Sequence, residues 1–236
     1  MNKQVGVLYG ISLGTGDPEL ITVKGLRLLQ RASVVAFPSG VRGQRGIAEQ
    51  IVFPWLLDKQ HKLALSFPYV QDEQVLKKAW QQAATQVWQY LKAGEDVAFV
   101  CEGDVSFYST FTYLAQTLVE QHPEVEIQTV PGVCSPMAAA SALGIPLTLR
   151  SQRLVILPAI YSLDELEKVL DWAEVVVLMK VASVYQSVWQ LLEKRNLLDN
   201  CWLIERATFP DQMIYRNLKE QPQLNLSYFS LLIVHC

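Results

Sequence analysis

The sequence predicts an α/β protein made of two α/β lobes, and three observations lead there. Short apolar, β-branched runs alternate with segments of helical periodicity along the whole chain. Three of those runs end in glycine-bearing turns, at residues 10–20, 101–110 and 131–141. A segment punctuated by proline and glycine, Pro131 to Pro146, falls near the middle of the chain. It places the boundary between a first domain over 1–130 and a second over 131–236.

The elements follow in order. Val5 to Ile11 reads as a buried strand that runs into GISLGTGDPEL. Glu19 to Gln30 carries Leu20, Val23, Leu26, Leu28 and Leu29 along one helical face. A short strand, Ser33 to Phe37, precedes a loop with Gly40, Gly43 and Gly46. A strand near Lys62 to Phe67 leads to a long helix from Asp72 to Lys92, and Gly94 ends it. Asp96 to Cys101 is a further buried strand, followed by the turn CEGDVSFYST, a helix from Tyr108 to Gln121 and a strand from Val125 to Val130. In the second half, helices are predicted at Ser135 to Leu143, Leu163 to Trp172 and Ser183 to Arg195. Strands are predicted at Arg153 to Leu157, Val175 to Met179, Cys201 to Glu205 and Tyr228 to Val234. Such alternation favours largely parallel sheets.

Composition narrows the function classes. The chain has 236 residues and a formal net charge of -3, which disfavours a nucleic-acid partner. Only 18% of the residues are charged, against about 25% in ordinary domains. That fits a surface partly buried against a second subunit. Cys101, Cys134, Cys201 and Cys236 are scattered, so no CxxC metal or redox motif exists. Reduced thiols in the cytoplasm are the simple expectation, with no bound metal. The opening MNKQVGVLYG is too poor in apolar residues for a signal peptide. The longest uncharged stretch, Ile127 to Leu149, is broken by Pro131, Pro136 and Pro146, so no membrane helix is expected.

The turns carry the chemistry. In the first, a dinucleotide pattern starting at Gly14 and Gly16 would need a third glycine where Glu19 stands, and a Walker loop would need the reverse of Lys24-Gly25. A tight turn with Asp17-Pro18 opening a helix is enough to explain it. In the second, Gly103 permits a positive φ or a close backbone approach. Asp104 can accept from hydroxyls or an ammonium, or cap the next helix. In the third, Pro131-Gly132 forces a turn beside small residues. Singly, such a turn is more often structural than functional. Three together at the carboxyl edge of an open sheet favour a small-molecule site.

Taken jointly, GISLGTGDPELITVKGLRLLQRASVV, CEGDVSFYST and PGVCSPMAAASALGIPL resemble the three signatures of the tetrapyrrole methylases, over about Val5 to Val234. The FPSG loop, MKV at 179–181 and ERATFPDQ at 205–212 are similar to the branch that methylates C20 of precorrin-2 or cobalt-factor II. The resemblance implies the tetrapyrrole methylase fold, two domains with S-adenosylmethionine in the cleft between them. The first domain would lie on the substrate side and the second would close over the cofactor. Carried over position by position, it implies cofactor contacts from Thr15, Gly103, Asp104, Val105, Phe107, Cys134, Ser135, Met179 and Ala207. It also implies a homodimer. Thr15 departs from the family's usual proline. Pro38 stands where the uroporphyrinogen branch has aspartate, which favours the C20 branch.

A methyl on a sulfonium is already electrophilic and a tetrapyrrole meso carbon electron-rich, so positioning can supply most of the acceleration. That suits a chain whose three histidines, His61, His122 and His235, form no catalytic constellation. Asp104 and Tyr108 are candidate proton acceptors by placement, with solvent as the alternative. The implied substrate is a polycarboxylate, so Arg42 and Arg45 in the loop VRGQRG, and Arg206, are candidate substrate-binding residues. Arg150 and Arg153 flank the connection between the halves. Trp80, Trp88 and Tyr90 are spaced for packing rather than for stacking on a ligand. Other acceptors remain open: another ring position, a diphthine precursor or ribosomal RNA. A carrier without turnover is a further alternative.

Overall fold

A computed structural model describes residues 4–40, 44–68, 70, 72–158 and 162–236. The chain divides into two compact units, Met1–Cys134 and Ser135–Cys236.

The first unit is built on a five-stranded sheet, all of whose strand pairs are parallel. Its strands are β1 (Val7–Ser12), β2 (Val34–Pro38), β3 (His61–Leu65), β4 (Val97–Cys101) and β5 (Glu126–Val130), in the order β3-β2-β4-β1-β5. Every residue of the central strand β4 is buried, as a parallel strand covered on both faces requires. Helices α1 (Val23–Arg31), α2 (Ile47–Val52), α3 (Glu73–Leu91) and α4 (Thr110–Gln121) cover the sheet. The Asp72 side chain caps α3 by accepting from Gln74 and Val75 N–H, and Ala79, Ala83, Ala84, Val87 and Leu91 form its buried stripe. Gly94 (φ +79°) ends it, with Glu95 N–H bonded back to Tyr90 O at 3.1 Å. A Cβ on Gly10 would come within 2.4 Å of the Phe111 ring, so this glycine of β1 sets how closely α4 approaches. Trp80 stacks on Tyr113 at 4.4 Å and Trp88 on His122 at 3.7 Å, while the Tyr90 hydroxyl meets His61 Nε2 at 2.7 Å. The α3 aromatics therefore serve internal packing.

Two features of this unit differ from expectation. The helix predicted from Glu19 begins later: Pro18–Leu20 forms a separate 3-10 turn capped by Asp17. The α-helix then starts after Thr22, whose hydroxyl accepts from Gly25 N–H at 3.0 Å. Two capping side chains within six residues compete for the helix start, and periodicity alone reads through both. Helix α2 and the 3-10 turn Phe53–Trp55 occupy what reads as loop. α2 is six residues long and follows three glycines, too short for periodicity to register.

The second unit has a mixed sheet in the order β6-β7-β10-β8-β9. Its strands are β6 (Leu154–Leu157), β7 (Val175–Met179), β8 (Cys201–Glu205), β9 (Met213–Tyr215) and β10 (Ser230–His235). β6 and β7 are parallel, but β10 runs antiparallel between β7 and β8, and β9 antiparallel along β8. This corrects the expectation of a largely parallel sheet. β10 is buried at its first five positions, and a run of that kind does not encode direction. Helix α5 (Ser135–Leu143) lays Ala139 and Ala140 against Val175, Val177 and Ile204. α6 (Leu163–Leu170) and α7 (Tyr185–Lys194) lay Leu166, Val188 and Leu192 in a second cluster with Val176, Leu178 and Leu232. Alternate residues of β7 thus face two cores, each large side chain contributing about 1.5–3 kcal/mol on burial. No described helix is long and apolar enough to cross a membrane.

Candidate functional site

Parallel β4, β1 and β5 are neighbours, with Ser12 beside Cys101 and Ile11 beside Val130. Their three following turns must therefore emerge together on one edge. Gly14 (φ +78°) and Gly103 (φ +71°) pair across the first two turns: Gly103 N–H donates to Gly14 O at 2.6 Å, and Gly14 N–H to Gly103 O at 3.2 Å. The fully buried Ser12 donates its hydroxyl proton to Val130 O at 2.7 Å and accepts from Val105 N–H at 2.9 Å. Asp104 accepts from Ser106 N–H at 2.8 Å, from the Ser106 hydroxyl, and from Gly132 N–H at 2.7 Å. Two side chains, Ser12 and Asp104, thus fasten the second turn to the third.

Burial alone would raise the Asp104 pKa, but the bonds from Ser106 and Gly132 outweigh it and hold the carboxyl below its usual range. Asp104 is therefore ionised at neutral pH, with its oxygens already engaged, and makes a poor proton acceptor. Ser12 is the site residue that the sequence analysis missed. A serine closing an apolar strand looks like an ordinary strand end, and its partner at Val130 lies 118 residues away.

The glycines sort by what a side chain would meet. A Cβ on Gly132 would come within 2.4 Å of Ser12 Cβ, and one on Gly14 within 2.5 Å of Leu20 Cβ. Those two are needed for packing. A Cβ on Gly103 would meet nothing within 4 Å. Positive φ combined with open space above the backbone is what a ligand lying on this turn requires.

Around this point, Thr15 and Val105 are buried and Phe107 is half-buried, its N–H bonded to Asp104 O at 3.1 Å. Tyr108 is in the left-handed region (φ 52°) and 58% exposed, with its ring edge-on to Phe107 at 4.7 Å. Cys134 and Ser135 lie in the third turn, Ser135 opening α5, and both are half-buried. The structure gathers the predicted residues of the first two turns with Gly132 on one edge. Met179 and Ala207 lie in the second unit, where both pack against the α5-side cluster, Met179 as the last residue of β7 and Ala207 two residues beyond the end of β8.

Of the predicted substrate arginines, Arg45 belongs to the first unit and Arg206 to the second. Arg42 lies outside the described residues. Arg45 sits 3.6 Å from Glu49 and 4.1 Å over the Phe53 ring. Arg206 (φ 49°) donates Nε–H to Asp211 at 2.7 Å and lies 4.2 Å over Phe209. Arg153 grips Glu174 through Nε and a terminal nitrogen, at 3.0 and 2.7 Å. That bond holds the Glu174 carboxyl down at about 2. His61 and His122 pair with Tyr90 and Trp88, away from the turns, and His235 stands edge-on to Trp202 at 4.9 Å with its pKa lowered by burial. Among the described residues no group of three or more His, Cys, Asp or Glu could hold a metal.

Fold and edge together define a two-unit α/β protein whose first sheet ends in an edge of exposed backbone and small residues. The chain belongs to the tetrapyrrole (corrin/porphyrin) methylases, whose signature it matches over residues 7–222. It is 34% identical over 214 residues to a probable cobalt-precorrin-2 C(20)-methyltransferase of Methanocaldococcus jannaschii, covering 91% of this chain and 88% of that protein. It is 30% identical over 231 residues to the cobalt-precorrin-2 C(20)-methyltransferase of Salmonella typhimurium, covering 98% and 96%. It also matches cobalamin biosynthesis protein CobIJ of Mycobacterium tuberculosis at 33% over 237 residues, 96% of this chain but only 45% of that longer protein. Among solved structures, a cobalt precorrin-4 methyltransferase shares the fold with a TM-score of 0.74 at 23% identity, over 97% of this chain and 94% of that one. A uroporphyrin-III C-methyl transferase from Thermus thermophilus complexed with S-adenyl homocysteine shares it with a TM-score of 0.69 at 20% identity, over 98% and 92%.

Proposed function

We propose that the protein transfers a methyl group from S-adenosylmethionine to C20 of precorrin-2, or of its cobalt-containing counterpart, in corrin ring synthesis. The names of its relatives support the acceptor. The observation that carries the reading is the Gly103 turn, tied to the first and third turns and open above its backbone. When bound, S-adenosylmethionine supplies an electrophilic methyl on a positively charged sulfur.

The chain's own residues bind and orient. Gly103, Val105 and Phe107 present backbone and a flat ring to the cofactor, and Thr15 offers a small hydroxyl from the first turn. Cys134 and Ser135 bound the third turn. In the second unit Met179 and Ala207 pack near the adenine, so the first unit has the substrate side. Asp104 acts as a positioning residue, because its carboxylate holds Ser106 and Gly132 in place. The proton released from C20 then passes to solvent or to the exposed Tyr108. Holding the carbon in line with the methyl supplies the rate. Arg42, Arg45 and Arg206 meet substrate carboxylates, and the protein works as a homodimer in the cytoplasm.

The decisive test incubates purified protein with S-adenosylmethionine and either precorrin-2 or cobalt-factor II. Mass spectrometry and NMR are expected to find one added methyl, at C20. Absence of transfer to both rings overturns the reading. Arg42→Ala is expected to raise the ring's KM while sparing cofactor affinity.

A further inference from the structure

We propose that Lys180 is a carboxylate-binding residue at the carboxyl edge of the second unit's sheet. The proposal rests on the functional reading above and names a residue that binds the ligands it implies.

Lys180 directly follows β7 and sits in the left-handed region, at φ 55° and ψ 38°. That conformation favours glycine, because a Cβ there crowds the following carbonyl. When a long side chain occupies such a position, the strain points to a use for the side chain. The turn is held from beyond: Ala182 N–H donates to the Ser230 hydroxyl at 3.0 Å.

The Lys180 ammonium lies 5.0 Å from the centroid of the Tyr228 ring, and Tyr228 is itself half-exposed. A ring face attracts a cation but accepts no full hydrogen bond, so the ammonium donors stay available. Among the described residues no carboxylate lies within ion-pair distance of Lys180, whereas Arg206, just after β8, has Asp211.

The surroundings fit an anion. β10 pairs with both β7 and β8, Leu231 beside Met179 and Ser230 beside Glu205. The segment Tyr228 to Ser230 therefore runs between the ends of those strands, with Lys180 on one side. On the other side Arg206 N–H donates to Phe229 O at 2.9 Å. Of the two cations, Arg206 has its Nε on Asp211 and Lys180 is uncommitted. A strained, ring-backed, unpaired ammonium at a ligand edge matches a ligand carboxylate, which the acceptor ring and the amino-acid end of S-adenosylmethionine both carry.

The test compares wild type with Lys180→Gly, Lys180→Met and Lys180→Arg. Lys180→Gly removes the ammonium and relieves the backbone, so its melting temperature is expected to hold or rise. KM and kcat are measured with precorrin-2 and with cobalt-factor II, and S-adenosylhomocysteine affinity by calorimetry. A ring carboxylate predicts a KM raised roughly 10-fold in the Gly and Met variants, with S-adenosylhomocysteine affinity within about twofold, and recovery in Lys180→Arg. A cofactor carboxylate predicts the reverse split, a roughly 10-fold loss in S-adenosylhomocysteine affinity with the ring's KM unmoved. Wild-type turnover with both quantities unchanged in the Gly and Met variants overturns the proposal alone. A wild type that turns over neither ring overturns the functional reading and this proposal together.

Discussion

The carboxyl edges of the two sheets solve the same backbone problem with opposite residue choices. In the first unit the left-handed positions nearest the strands are glycines, Gly14 and Gly103, which pair with each other. In the second unit they are Lys180, Arg206 and Thr208, all bearing side chains. Left-handed backbone at a non-glycine residue costs on the order of 1–3 kcal/mol. The first edge therefore leaves side chains out, and bare backbone lies open above Gly103. The second carries side chains at these positions in spite of the strain. The ties differ as well. Ser12 and Asp104 lock the first edge through buried hydrogen bonds, whereas Arg206 and Asp211 pair at the surface of the second.

The largest expected effect comes from filling the open space at the first edge. Gly103→Leu should reduce S-adenosylmethionine affinity by more than about 100-fold in a calorimetric titration, while the left-handed leucine lowers stability by only about 1–2 kcal/mol. Full retention of affinity would remove Gly103 from the site and dissolve the contrast between the edges.

Asp104→Asn comes next. It replaces an ionised acceptor with an amide that can satisfy only part of the network, so about 1–3 kcal/mol of stability should go, with cofactor affinity down roughly 10-fold. The pH dependence follows from the direction of the shift. Because the folded pKa of Asp104 is depressed, its contribution is complete above the unfolded value near 3.9 and disappears as pH falls through the lower folded value. Melting curves taken downward from about pH 5 should therefore fall less steeply in Asp104→Asn than in wild type. Parallel acid limbs would show that the tie between the turns is not electrostatic.

Smaller effects belong to the second edge. Arg206→Gly relieves a strained residue, so stability should stay within about 1 kcal/mol of wild type despite the lost Asp211 contact. The ring's KM should rise a few-fold, and kinetics identical to wild type would leave Lys180 as the only cation there with a ligand role. Thr208→Gly should raise stability by about 0.5–1 kcal/mol, seen as a higher melting temperature, and leave the kinetics alone.

Much of this was legible in the chain. The bounds of α5, β7 and β8 coincide with the runs Ser135 to Leu143, Val175 to Met179 and Cys201 to Glu205, because each is a dense apolar run. The three turns were legible because glycine and proline punctuate them. Less visible were α2 and β9, six and three residues long, which carry too few positions for a period to appear. For the arginines, charge and loop placement are visible in sequence, but Glu49 beside Arg45 and Asp211 beside Arg206 are not.

The sequence by itself determined the alternation of strands and helices, the family, and the three glycine-bearing turns, since all of these rest on local pattern. Only the tertiary structure decided that β10 runs against its neighbours, that Ser12 and Asp104 clasp the second turn to the third, and that the Lys180 ammonium faces the Tyr228 ring. Those outcomes depend on pairings across 25 to 118 residues, from Ser230 beside Glu205 to Ser12 on Val130, and chain separation erases them from any local window while packing makes them neighbours.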